Sequence, residues 1–134
     1  MSIKVRGLDG REYSWNLVNY LSNNRSPSSL HIKAREILHQ LFPFDKILEE
    51  VSLPGTQLYA DFYIHSKKLI IEVHGEQHYK FNPFFFKDKK SFALAQKRDR
   101  DKKSWAELNG ITLVELPYNA QEKWESIIND RDRC

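Results

Sequence analysis

The sequence predicts a mixed α/β domain, a sheet with helices on both faces, preceded by a β-hairpin. Three observations support this. Residues 28–42 and 91–109 repeat apolar side chains at helical spacing, and residues 58–64 and 69–74 are dominated by Val, Ile, Tyr and Phe. The resulting order of helix, three strands, helix, strand, helix implies a mixed sheet covered on two sides. At 134 residues the chain suits one domain with a real hydrophobic core.

Taken in order, residues 3–6 and 11–15 flank Gly7-Leu8-Asp9-Gly10, whose Asp-Gly step is a strong hairpin signal. Residues 16–21 are expected as a short helix and 22–27 as a loop. Residues 1–27 would then be a hairpin and short helix that belong to, or are appended to, a core of residues 28–134. Ser28 or Ser29 is a good N-cap. The helix that follows places Leu30, Ala34, Ile37, Leu38 and Leu41 on one face and stops at Pro43. Glu36 is expected beside that face, within reach of a neighbouring sheet. Residues 46–53 read as the first sheet strand and Pro54-Gly55 as a turn. Residues 58–64 and 69–74 follow as two strands joined by the polar run His65-Ser66-Lys67-Lys68. The long helix of residues 91–109 ends at Gly110. Residues 111–116 form a buried strand, and residues 120–128 a closing helix with Trp124, Ile127 and Ile128 inward.

No run of about 18 apolar residues is present, so a transmembrane helix is not expected. The N-terminus also lacks the apolar stretch of a secretory signal. The single cysteine, Cys134, is the last residue, so no internal disulfide is expected and a reducing, cytoplasmic setting follows. The formal net charge is only +3, but residues 87–103 hold eight Lys or Arg against three Asp. A basic strip on a near-neutral body is the electrostatic footprint of a nucleic-acid partner.

Asp61 and Glu72 are the conspicuous residues, because apolar strands have no folding reason to bury an unpaired carboxylate. Adjacent antiparallel strands can bring the two onto one face. Two hard oxygen ligands with room for water suit Mg²⁺, and the Val73 carbonyl could add a third. The alternative is an ion pair with Lys67 or Lys68 at the strand end. His74 and His78 do not have zinc spacing, since Gly75 follows a strand end and no further ligands are at hand. Their chemistry is that of a general acid or base, and the choice between them stays open.

The run Glu72-Val73-His74-Gly75-Glu76-Gln77-His78-Tyr79 resembles the E-x-D-G-x-Q-H-Y stretch of Vsr-like endonuclease domains in the PD-(D/E)XK superfamily. The block from Gln96 through Asp99 to Lys102, then Asn109-Gly110-Ile111 and a strand ending in Leu116-Pro117-Tyr118, is similar to that family's D-x-x-K, N-G-I and I-P-Y patterns. Together these cover roughly residues 30–128. The resemblance implies a restriction-endonuclease-like fold and metal-dependent hydrolysis of DNA, nicking included, with Mg²⁺ or substituting Mn²⁺. The EDxHD branch would map its acids and histidine onto Glu36, Asp61, His78 and Asp99, with Glu72 as the second core acid. His74 stands where the superfamily often has lysine and close relatives have aspartate. Glu115 stands where relatives often have arginine.

Expected nucleic-acid contacts fall on Gln77, Lys80, Lys87, Lys89 and Lys90, on Phe84 and Phe85 as stacking or wedging aromatics, and on the helical Gln96, Lys97, Arg98, Arg100, Lys102 and Lys103. Double-stranded DNA is the expected partner, with RNA as an alternative. Two rival readings are a catalytically silent nucleic-acid-binding module and a nuclease subunit of a recombination or transposition complex. One active site cuts one strand, so a homodimer or a larger complex is a candidate assembly, although no dimer face is evident in the sequence. A repair or restriction role in a bacterium or phage is implied by the resemblance alone.

Overall fold

The computed structural model describes residues 2–19, 28–75 and 88–132. In chain order these form β1 (Ser2–Arg6), β2 (Glu12–Asn16), α1 (Ser29–Leu41), β3 (Leu48–Ser52), β4 (Tyr59–Ile64), β5 (Leu69–His74), α2 (Lys89–Leu108), β6 (Thr112–Pro117) and α3 (Trp124–Asp132). Strands β3, β4, β5 and β6 make one sheet in that order, antiparallel as far as β5 and parallel between β5 and β6. The parallel step follows from α2, which carries the chain back across the sheet. Strands β1 and β2 pair separately as an antiparallel hairpin. The described residues are therefore mixed α/β, with a mixed sheet, three α-helices and an N-terminal hairpin.

Local chemistry accounts for most boundaries. The hairpin turns through Gly10 at φ +82°, and the Asp9 carboxylate accepts the Arg11 N–H at 3.0 Å. Ser28 caps α1 by accepting the His31 N–H at 3.1 Å. Helix α2 starts two residues before its expected position because Asp88 is the N-cap, accepting the Ser91 N–H at 2.8 Å. It ends ahead of Gly110, whose φ of +66° suits a residue without Cβ. A 3₁₀ turn at Gln121–Lys123 leads into α3. The helix expected from residue 16 is not formed in the described part. Asn16 ends β2, and Leu17 is buried two residues after buried Trp15, which is the period of an extended chain.

Each face of the sheet has its own core. Helix α2 and the hairpin cover one, where Val5, Trp15, Tyr63, Ile70, Trp105 and Leu113 pack together. Helices α1 and α3 cover the other, with Ala34, Leu38, Phe62, Ile71, Val114, Trp124 and Ile128. The hairpin is tied in by several contacts. Trp15 stacks edge-on against Trp105 at 5.0 Å and donates its indole N–H to the Ser52 carbonyl at 2.7 Å. Arg6 and Asn109 exchange hydrogen bonds, with the Arg6 N–H on Oδ1 at 2.7 Å and Nδ2 on the Arg6 carbonyl at 2.9 Å. Two turns touch backbone to backbone, since a Cβ on Gly55 would come within 2.7 Å of the Gly7 Cα. Among the described residues no helix is long and apolar enough to cross a membrane.

Trp105 is fully buried, and its indole N–H reaches the Pro54 carbonyl at 2.9 Å. Trp105→Ala is expected to lower the free energy of unfolding by about 3–5 kcal/mol, measured by urea denaturation. Phe44→Ala, at a side chain that is 99% exposed, is expected to stay within about 0.5 kcal/mol of wild type.

Candidate functional site

Strands β4 and β5 keep regular register as far as the Phe62–Ile71 pair. One step beyond, where Asp61 meets Glu72, side chains take over from the backbone ladder. Glu72 Oε2 accepts the Asp61 N–H at 2.7 Å, and Asp61 Oδ2 accepts the Val73 N–H at 2.8 Å. Glu72 is paired in register with Glu115 on β6. On β3, Glu50 lies between the Glu49–Phe62 and Val51–Ala60 pairs, level with Asp61. Each strand of the sheet thus carries one acid on a single row. Glu50 has φ +49°, a region uncommon for residues with a side chain. That turn in the strand lets Leu48 and Val51, three positions apart, face the same core.

Helix α2 supplies the opposing charge. Glu72 and His74 follow Ile70 at strand spacing and so point to the face that α2 covers. Lys102 and Lys103 sit on the turn before the helix's buried anchor, Trp105 and Ala106. Lys102 Nζ lies 2.6 Å from Glu72 Oε1, and Lys103 Nζ lies 2.7 Å from Glu115 Oε1. His74 Nδ1 lies 3.4 Å from Glu115 Oε2. Glu72 and His74 are buried, at 2% and 4% exposure.

Burial pushes the Glu72 carboxyl up to about 7; the Asp61 charge adds to the rise, and Lys102 works against it. Burial opposes the Lys102 charge, but Glu72, then Asp61 and Asp99, more than offset it and hold this lysine above its ordinary range. Glu115 is held down to about 2, first by its hydrogen bond with His74, against the cost of burial and with help from Lys103. Asp61 and Glu72 therefore share Lys102, an arrangement that favours one further positive charge, whether a proton or a cation.

Asp61 and Glu72 are brought together, and His74 lies two residues further along β5, beside Glu115. The even-numbered carbonyls Lys68 and His74 point to β6, so strand alternation turns the Val73 carbonyl toward β4 and Asp61. Asp99 is half-buried on α2 and acts electrostatically on Lys102. Among the described residues, no group of three or more His, Cys, Asp or Glu is arranged to hold a metal ion.

Several expectations are corrected. Glu36 is exposed on α1, not beside the apolar face; two positions at about 100° each set it nearly opposite Ala34. Polar side chains of α1 that do reach the sheet are His31 and Arg35, both bonded to Glu49 at 2.8 Å. Lys102 is turned inward, as its stripe with Asp99, Ala95 and Ala106 implies, so with its side chain only 17% exposed it does not stand with the phosphate-facing cations. The lysine that pairs with an acid is thus neither Lys67 nor Lys68; Lys67 lies 3.9 Å from Asp132 instead.

Lys103 is tied to Glu115 but 56% exposed, and Lys97 pairs with Asp101 at 2.9 Å. Lys89, Lys90, Arg98 and Arg100 are exposed along α2, and Gln96 is half-buried. Gln77, His78, Lys80, Phe84, Phe85 and Lys87 lie outside the described residues. Lys102 as the partner of Glu72, the Glu115–His74–Lys103 group and Glu50 are features that the structure adds to those expected. A signal for Glu50 was present, because acids recur at 50, 61 and 72 with equal spacing, one per strand through two hairpins.

No family model matches the chain, and no solved structure matches it. It is similar to uncharacterized protein 307L of Invertebrate iridescent virus 6, at 42% identity over 65 residues, covering 48% of this chain and 33% of the relative. It is also similar to uncharacterized protein 033L of Invertebrate iridescent virus 3, at 36% identity over 66 residues, 49% of this chain and 34% of the relative. The match spans about a third of the length of each of these curated relatives.

The raised Glu72 carboxyl sets a pH dependence. Its contribution to stability is fully present below the ordinary value of 4.5 and is lost as pH rises through about 7. Between about pH 5 and 7.5, wild type is expected to lose on the order of 1–3 kcal/mol relative to Glu72→Gln. Urea denaturation of both proteins across that range checks the difference. Parallel curves would contradict it.

Proposed function

We propose that this protein is a metal-dependent endonuclease related to the Vsr-like branch of the restriction-endonuclease-like superfamily, hydrolysing phosphodiester bonds in DNA. The observation that carries the reading is the Asp61–Glu72 pair, hydrogen-bonded crosswise at the end of a strand ladder, with Lys102 against Glu72 and a basic helix above it. A purely structural sheet would place apolar residues there, as Ile70 and Leu113 do on the same face. The donor chemistry fits Mg²⁺. Asp61 and Glu72 would supply carboxylate oxygens and Val73 its carbonyl, leaving the remaining positions to water. When bound, such an ion polarises a phosphoryl oxygen and acidifies water.

The chain's own groups have separable tasks. Lys102 holds Glu72 in place from the α2 side. Asp99 adds to the field that keeps Lys102 charged. Proton transfer falls to His74, whose ring Glu115 orients through Nδ1, or to His78. Lys89, Lys90, Arg98 and Arg100, exposed along α2, would hold the backbone of the nucleic acid. A second reading, a nucleic-acid-binding module without catalysis, is favoured by one specific observation: Lys102 already neutralises Glu72.

Supercoiled plasmid incubated with the protein and Mg²⁺ is expected to be nicked or linearised. Asp61→Ala and Glu72→Ala should slow this by about a hundredfold or more, with Lys102→Ala changing it in the same direction. Mg²⁺ should raise the melting temperature of wild type but not of Asp61→Ala. Salt-sensitive DNA binding with no cleavage and no Mg²⁺ effect would support the second reading. Wild type indistinguishable from Asp61→Ala on every substrate, RNA included, would overturn the first.

A further inference from the structure

The two edges of the sheet are treated differently. On β3, the hairpin and the segment after it cover the edge, with Trp15 on the Ser52 carbonyl and the Asn19 side chain on the Glu49 N–H. On β6, no described segment pairs with the outer edge. Thr112 and Tyr118 donate their N–H groups to β5. Strand alternation therefore turns the backbone groups of Leu113 and Glu115 outward. An open edge is a template for strand pairing that proteins ordinarily blunt.

Beside this edge lies a groove of about 590 Å³ between α2 and α3. Leu113 and Ile127 give it an apolar floor, and Lys103, Glu107, Glu115 and Arg131 give it charge of both signs. Two bases against two acids is a poor fit to a polyanion and a good fit to the same set of groups presented in reverse.

We infer that the β6 edge is a self-association surface, on which a second copy of this chain pairs its own β6 antiparallel and extends the sheet through a two-fold axis. With Val114 of the two copies on that axis, Leu113 of one copy stands opposite Glu115 of the other. Each such pair exchanges both backbone hydrogen bonds. The axis also lays α2 antiparallel to its copy. Lys103 and Glu107, one helical turn apart, then meet Glu107 and Lys103 of the second copy. The inference depends on the edge and its charges, not on the nuclease reading.

Sedimentation velocity over about a hundredfold range of concentration tests it. Wild type is expected to shift reversibly from monomer to dimer. Glu107→Lys and Lys103→Glu should each weaken self-association at least tenfold, because like charges would meet across the axis. An equimolar mixture of the two variants should recover association, since both contacts then pair opposite charges. Glu107 is exposed, so Glu107→Lys should melt with wild type and decides the matter even if Lys103→Glu folds poorly. A wild-type protein that is monomeric throughout would overturn the inference and leave the edge to an extended segment of another protein. A dimer that Glu107→Lys leaves unweakened, or a mixture of two folded variants that does not recover, would overturn it as well.

Discussion

A buried carboxylate held by a half-buried lysine, Glu72 against Lys102, joins the sheet to helix α2. Neither charge could stand there alone. Removing one partner of such a pair leaves an uncompensated ion in a low-dielectric setting, which is far worse than having neither. Glu72 is constrained further, because its other oxygen takes the Asp61 N–H where the β4–β5 ladder gives out. Next to it, Lys103 repeats the arrangement on Glu115, the neighbour of Glu72 across the parallel pairing. The seating of α2 is thus determined by two adjacent ion pairs together with Trp105 and Ala106, all in its C-terminal part. None of residues 89–104 is fully buried. The helix divides into a part that organises the acids and a part that offers lysines and arginines to solvent.

The fold was legible where burial dictates composition. Strand β5 spans the residues expected of it, and β4 differs by one, because strands with a core on each face must be apolar nearly throughout. Asp61 and Glu72 were conspicuous for the same reason, as acids in stretches that otherwise exclude them. Lys102 was harder. Helical periodicity aligns it with Asp99 and Ala106 and so turns it partly inward, but which acid it meets depends on how Trp105 seats the helix, a tertiary matter. Glu115 was harder still, because its register with Glu72 is set by a crossover through α2, and no local pattern encodes it. For Glu36 the phase along α1 was misjudged. The polar reach from that helix to β3 belongs to His31 and Arg35, one turn apart on its flank.

Charge is distributed across the sheet in a way that composition conceals. The formal net charge of +3 describes a nearly balanced protein, yet the acids stand in one row across four strands, and the lysines that answer Glu72 and Glu115 come from one helix. Glu49, on the other face, is likewise answered locally, by an imidazole and a bidentate guanidinium from α1. Glu72, Glu115 and Glu49 each meet a cation, and the exposed Lys89, Lys90, Arg98 and Arg100 of α2 are surplus to those pairs. This surplus, more than the total, is what a polyanion would meet.

The hairpin has a bearing on how the chain reaches this state. Its strands are made before α2, and some of their partners come much later: Arg6 bonds Asn109, 103 residues downstream, and Trp15 rests on Trp105. Contacts of such sequence separation close large loops before they are rewarded, which slows folding. On the ribosome the hairpin can rest on β3 and β4, but its packing stays incomplete until α2 has emerged. The last residues of α2 therefore act as a latch in time as well as in space. Until they arrive, the N-terminal strands have no complete surface on which to settle, and the edge of β3 that they will cover remains open to other chains.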